Sequence, residues 1–188
     1  MSKSKLKTIV LCLVLLVAAV IIAVIVNRTM EKHTYKLEYA QIISAYALQY
    51  ELDPYFVAAV IHVESGNRAQ VKSSAGALGL MQIMPVTGEW IAEKLDMDFK
   101  TEDLSEPEIN IEYGCWYLRF LFDKFELTDT VAAAYNAGHN RVSEWLENEK
   151  YSSDGVSLKQ IPYNETRLYI EKIQKAYEKY KKLYPTAF

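Results

Sequence analysis

The stretch Asp53–Gly66, DPYFVAAVIHVESG, reads as one complete helix with both ends written into it. Asp53 is a helix cap, and Pro54 at the first helical position loses no hydrogen-bond donor that a helix needs. Phe56, Val57, Val60 and Ile61 recur at helical spacing and define an inward face. The helix ends near Glu64-Ser65-Gly66, where glycine supplies the stop. Glu64 therefore closes an otherwise apolar helix. A helix C-terminus carries partial negative charge, and burial disfavours an anion. Both effects raise a carboxyl pKa towards the range a general acid uses near neutral pH. Taken alone, the same glutamate also reads as an exposed residue that happens to end a helix.

The pattern on either side is helical almost throughout. Tyr39, Ile42, Ile43, Tyr46 and Tyr50 define a preceding helix face. Residues 67–79 hold small and turn-forming types, after which Leu80–Leu95 reads as a helix with Pro85 near its start. Ser105-Glu106-Pro107-Glu108 has the form of a capping box opening a helix through Phe125. Thr128 or Asp129 caps a short helix into Ala137-Gly138, and another runs from Asn140 to Leu146. Asn164 caps a last helix to Leu183, inward at Tyr169, Ile173, Ala176/Tyr177 and Tyr180. Residues 147–160 form a polar loop with room for a short hairpin. No repeat or Pro/Gly-rich linker divides this region. It reads as one all-α domain, residues 37–188, with helices packed about a cleft.

Ahead of it, Thr8–Val26 is 19 residues without a charge. At ~1.5 Å rise each they make a helix of about 28 Å, close to the ~30 Å hydrocarbon core of a bilayer. Lys3, Lys5 and Lys7 precede the run, which favours a cytoplasmic segment 1–7, a transmembrane helix 8–26, a polar stalk 27–36 and an extracytoplasmic remainder. The alternative is a cleaved signal peptide, but its apolar region is shorter and ends in a small-x-small site. None follows Ala23. Of the two cysteines, Cys12 lies in the apolar run, so Cys115 has no intrachain partner in the domain. From His33 onward 16 Lys and Arg face 23 Asp and Glu, a net of −7. That balance argues against nucleic acid as partner.

The three histidines are scattered, so no metal-ligand spacing exists. No phosphate-cradling loop and no Gly-x-Ser-x-Gly elbow occurs. Two further segments carry residues suited to a carbohydrate. In Ser73–Pro85, SSAGALGLMQIMP, the glycines permit close approach to backbone, Gln82 can donate and accept, and Met81 and Met84 provide flexible apolar surface. The plainer reading is a loop leading into an amphipathic helix. In Ala134-Tyr135-Asn136-Ala137-Gly138, a hydroxyl and an amide stand at a helix end; the plainer reading is a packed tyrosine and a helix stop.

Taken in order, Glu64-Ser65, Gly79-Leu80-Met81-Gln82, Asn110-Ile111 with Gly114 and Tyr117-Leu118, Ala134–Gly138, and Ile161-Pro162 with Glu165-Thr166-Arg167 and Tyr169 resemble the catalytic domain of soluble-type (SLT) lytic transglycosylases. That family is related in fold to goose-type lysozyme. The resemblance spans residues 38–182 and implies a lysozyme-like helical domain with a substrate cleft. It makes Glu64 the catalytic acid/base. It places Ser73, Met81, Gln82, Tyr135, Asn136, Glu165 and Tyr169 at the substrate, with Glu165 equally open to a structural ion pair. His62 belongs to no motif and reads as a packing or surface histidine. The implied substrate is the glycan strand of peptidoglycan, cut between N-acetylmuramic acid and N-acetylglucosamine to leave a 1,6-anhydromuramic end, with no metal or organic cofactor. Hydrolysis by the same cleft (a muramidase) and an inactive wall-binding protein are the competing readings. A fragment beginning near Thr34 should be soluble, active on peptidoglycan and largely helical by circular dichroism; a β-rich spectrum would contradict the fold.

Overall fold

The computed structural model describes residues 3–188, with the side chains of Lys3, Lys5, Leu6 and Thr8–Val10 undescribed; Met1 and Ser2 of the expected cytoplasmic segment lie outside it. The chain divides into two compact units, residues 1–36 and 37–188.

The first unit is a single helix, α1 (Lys3–Thr34). It does not stop at Val26: the polar segment continues the helix through Thr34, where the Thr29 and Thr34 hydroxyls bond back to the carbonyls of Ile25 and Met30. Leu11–Thr34 is long and apolar enough to cross a membrane, and no residue of its apolar 18-residue window is buried.

The second unit is all helical among the described residues, apart from two isolated antiparallel pairings of Leu78 with Lys72 and Ile83. Its core is α3 (Pro54–Ser65). The Asp53 carboxylate caps it by accepting from the Tyr55 N–H at 2.8 Å, and Gly66 ends it in the left-handed conformation at φ 60°. The sequence implied one inward face. Instead every residue from Phe56 to Ile61 is buried, as happens when neighbours enclose a helix on all sides. α3 packs chiefly on α8 (Asn164–Leu183) and also on α2 (Ala40–Gln49). α6 (Thr128–Ala137) packs on α8, on α7 (His139–Glu147) and on α5 (Pro107–Lys124). α4 (Pro85–Leu95) and a 3₁₀ turn (Thr101–Ser105) pack on α5 and on each other.

Several expected helix starts shift. Residues 80–84 are not helical; α4 begins at Pro85. Proline disfavours the helical conformation in the residue before it, and Met84 is extended at ψ 140°. The Ser105–Glu108 capping box does not form, because Ser105 belongs to the 3₁₀ turn and Glu106 occupies the cap position without a side-chain bond. Leu127 and Tyr163, rather than Thr128/Asp129 and Asn164, stand at the caps of α6 and α8. Residues 147–160 contain no hairpin; Asp154 organises a turn by accepting from the Val156 and Ser157 N–H groups.

One buried side chain fixes the loop between α3 and α4. Asn110, on α5, is fully enclosed. Its Oδ1 accepts from the Met81 N–H at 2.7 Å, and its Nδ2 donates to the carbonyls of Leu78 at 3.0 Å and Leu104 at 2.8 Å. Gly79, at φ +77°, has room for no side chain: a Cβ there would lie 2.2 Å from the Leu104 carbonyl oxygen. Gly114 leaves the space that Met81 fills, since its Cβ would fall 2.1 Å from the Met81 sulfur. Asn110→Ala strands three backbone groups, two of them in buried bonds, at ~1–3 kcal/mol for each buried one. It should lower Tm by roughly 10 °C, measured by thermal denaturation, against little change for Asn164→Ala on the exposed first turn of α8.

Candidate active site

Glu64 lies in the last turn of α3, half-buried, with part of its surface still open. Tyr169, from α8, donates its hydroxyl to Glu64 Oε1 at 2.7 Å. Burial pushes the Glu64 pKa up to about 7 from an ordinary 4.5, and the Tyr169 hydrogen bond, which favours the charged form, opposes this only in part. Tyr135, near the end of α6, is the second tyrosine whose ionisation is opposed by the Glu64 charge, after its own burial; burial raises Tyr169 in the same way. No carboxylate other than Glu64 contributes to the raised values of these three groups. The site thus pairs one acid, poised near neutrality, with two tyrosines held in their neutral form.

Backbone and side-chain bonds lock this cluster to its surroundings. The Tyr135 hydroxyl donates to the Met81 carbonyl at 2.7 Å and so ties α6 to the loop that Asn110 holds. The Thr166 hydroxyl donates to Asn136 Oδ1 at 2.8 Å and ties α8 to the end of α6. Ser65, buried behind Glu64, donates to the Ile61 carbonyl at 3.0 Å.

The remaining expected site residues take varied places. Gln82 adopts a left-handed backbone at φ 49°, and its amide nitrogen donates to the carbonyls of Gly79 at 2.8 Å and Val71 at 3.2 Å. That nitrogen braces the loop. Met81 is fully buried against Gly114. It lies beneath the site, and its carbonyl and N–H rather than its thioether shape the surroundings of Tyr135. The Ser73 hydroxyl accepts from the Ala77 N–H at 3.0 Å and closes its own loop. Glu165 is exposed in the first turn of α8, beside Arg167, whose guanidinium pairs with Glu171 at 2.7 Å and donates to Asn164 Oδ1. His62 is half-buried with its ring edge-on to Tyr180, in keeping with a packing role. Asn110 and Thr166 matched motifs in the sequence, but their anchoring roles had no sequence signal beyond that match. A hollow of about 290 Å³ among Asp53, Phe56, Arg119, Asp129, Ile173 and Tyr177 lies at the N-terminal ends of α3 and α6, and no motif residue of the Glu64 cluster lines it.

An all-helical unit with a half-buried glutamate at a helix end and two tyrosines around it is in keeping with the lysozyme-like domain that the sequence resemblance implied. The comparisons agree. The model of the transglycosylase SLT domain matches residues 41–157. The soluble lytic murein transglycosylase of Salmonella typhimurium is 35% identical over 150 residues, 78% of this chain and 23% of that protein. The membrane-bound lytic murein transglycosylase C of Actinobacillus pleuropneumoniae is 30% identical over 166 residues, 76% of this chain and 46% of that one. The crystal structure of the 70 kDa soluble lytic transglycosylase of Escherichia coli superposes with a TM-score of 0.72 at 28% identity, over 81% of this chain and 25% of that one. The chain belongs to the transglycosylase SLT domain family. It spans about a quarter of the length of the soluble relatives.

The raised acid gives a signed pH dependence. Folded Glu64 binds its proton more tightly than the unfolded chain does. Its favourable contribution is therefore complete below pH 4.5 and is lost as pH rises towards about 7. Glu64→Gln has no such titration. Its Tm relative to the natural protein should rise by several degrees between pH 5 and pH 8 in thermal melts. A difference that stays constant with pH would show that Glu64 does not titrate in this range.

Proposed function

We propose that the protein is a membrane-anchored peptidoglycan lytic transglycosylase. It cleaves the β-1,4 bond between N-acetylmuramic acid and N-acetylglucosamine and leaves 1,6-anhydromuramic ends. The observation that carries the reading is Glu64: a single carboxyl, raised to about 7 by burial and held by Tyr169. Most glycosidases divide the work between two carboxylates. Here one group serves both steps in turn. Neutral Glu64 protonates the departing glycosidic oxygen, and the substrate's own acetamido oxygen stabilises the oxocarbenium-like centre at C1. Ionised Glu64 then takes the proton from the C6 hydroxyl of the same sugar as that oxygen attacks C1. A pKa near 7 suits a group that must give a proton and then recover one. Tyr169 keeps the carboxyl oriented in both states and stabilises the anion that exists between the steps. Ser73, Gln82, Asn136 and Glu165 are proposed to contact the sugars, with Met81 supporting from below.

The relatives named as lytic murein transglycosylases, one of them membrane-bound, support this activity and substrate. We place α1 across the membrane once, with residues 1–7 in the cytoplasm and the catalytic unit outside, on the strength of its bare apolar surface and the lysines before it. Glu64→Gln preserves size and hydrogen bonding but transfers no proton. It should lose ~10²-fold or more in rate, read as muropeptides released from purified peptidoglycan. With the natural protein in water enriched in heavy oxygen, the new muramic ends should be anhydro and unlabelled by mass spectrometry. Label at C1 with reducing ends would make the enzyme a muramidase, and near-normal turnover by folded Glu64→Gln would remove Glu64 from the chemistry.

A further inference from the structure

Five rings extend from the Glu64 cluster across α5 towards α4. Tyr135 meets Tyr117 at 5.5 Å between ring centroids. Tyr117 stacks on Phe120 at 6.0 Å with planes 15° apart, and Trp116 stacks on Phe120 at 6.0 Å with planes 1° apart. These three α5 rings therefore form a tier with nearly parallel planes. Trp90, from α4, stands at 78–88° to all three, with centroids 5.1 Å from Trp116 and Phe120 and 6.4 Å from Tyr117. The result is a right-angled corner of aromatic rings. Its base carries polar groups, since the Tyr117 hydroxyl lies 3.4 Å from His139 Nδ1 and the His139 ring is edge-on to Phe120.

All five rings are half-buried, in contrast to the completely enclosed Tyr113 and Tyr180 of the core. Val86, one helical turn before Trp90, is 70% exposed. Trp90, Trp116 and Phe120 occupy positions that the five sequence motifs leave open. Two part-exposed tryptophans, in ring contact with each other and continuous with the Tyr135 ring beside Glu64, offer a ligand an aromatic surface next to the site. The C–H face of a pyranose packs on aromatic ring planes, and the Tyr117 hydroxyl and His139 stand beside these rings as polar groups.

We propose that Trp90, Trp116 and Phe120 form an aromatic shelf that binds sugar rings of the glycan strand beyond those at Glu64, so that long strands bind better than short ones. This rests on the glycan-cleaving reading of the Glu64 site and extends it to strand length. The shelf contributes binding shared by ground and transition states. Its loss should therefore raise KM and leave kcat alone.

The test compares the full chain in detergent with Trp90→Ala and Trp116→Ala, on long glycan strands and on a tetrasaccharide of two disaccharide repeats, which holds a single bond from N-acetylmuramic acid to N-acetylglucosamine. Each variant should raise KM for long strands roughly tenfold, with kcat and the KM for the short substrate within twofold of the natural protein. Trp90→Phe should recover most of the affinity. Unchanged KM on long strands, or equal losses on both substrates, overturns the shelf. Absence of cleavage by the natural protein would instead reject the reading of the Glu64 site. If an alanine variant does not fold, fluorescence decides. In a Glu64→Gln, Trp145→Phe background the remaining emission comes from Trp90 and Trp116, and uncleaved long strands should shift it to the blue. Strands that co-sediment with that protein without shifting its emission overturn the proposal.

Discussion

The three hydrogen bonds of the Asn110 side chain hold the rest of the site in place. A helical domain of this size has no difficulty burying apolar surface, but the segment between α3 and α4 has almost no regular backbone pairing of its own. Buried backbone groups without partners are costly. A side-chain amide, with one acceptor and two donors, satisfies three of them from within α5. The geometry leaves no slack: Gly79 must lack a side chain for the amide to reach, and Gly114 must lack one for Met81 to sit down. Once Met81 is seated, its carbonyl is aimed at Tyr135, and Tyr135 is thereby fixed beside Glu64. Loop, helix and Glu64 are linked through a single buried amide.

Such fixing has a functional reason. A carboxyl near 7 is a balanced group. Slightly more water around it would return it to its ordinary range, and complete enclosure would keep it neutral at every useful pH. Glu64 is held between these limits by the full burial of Phe56–Ile61 beneath it and by the one hydrogen bond from Tyr169. Tyr135 and Tyr169 stand beside it on α6 and α8. The bond from Thr166 to Asn136 spans those two helices directly. These two residues belong to separate motifs, and their contact explains why both motifs include a small polar side chain at these points.

Much of this was legible in the sequence. α3 could be read almost to the residue, because Asp53, Pro54 and Gly66 are local signals and act through local backbone geometry. The class of fold followed from periodicity and from the order of the motifs. What could not be read was set by contacts distant in sequence. Ser105, Thr128 and Asn164 have good capping side chains, yet an extended neighbour takes the cap position before α6 and α8, and the 3₁₀ turn claims Ser105. Met81 is apolar and flexible, which fits a sugar-facing surface as well as a core; Gly114, 33 positions on, decides for the core. Gln82 has an amide fit for a ligand, but its nitrogen is engaged with its own loop because a left-handed turn there folds it back.

Helix direction completes the electrostatic picture. α3 ends at Glu64, and α6 ends just beyond Tyr135 and Asn136, so two carbonyl-bearing helix ends converge on one site. Each such end carries about half a negative charge. The first turn of α8 brings an end of opposite sign to the same place, because Thr166 bonds to Asn136. The helix ends therefore offset one another in part, and burial is the cause that raises Glu64. Under the lytic reading proposed above, the acid is neutral when cleavage begins, so it brings no charge to the oxocarbenium-like centre. On that reading the substrate's own acetamido oxygen supplies the stabilisation, and one side chain suffices where two are usual because the substrate provides the second group.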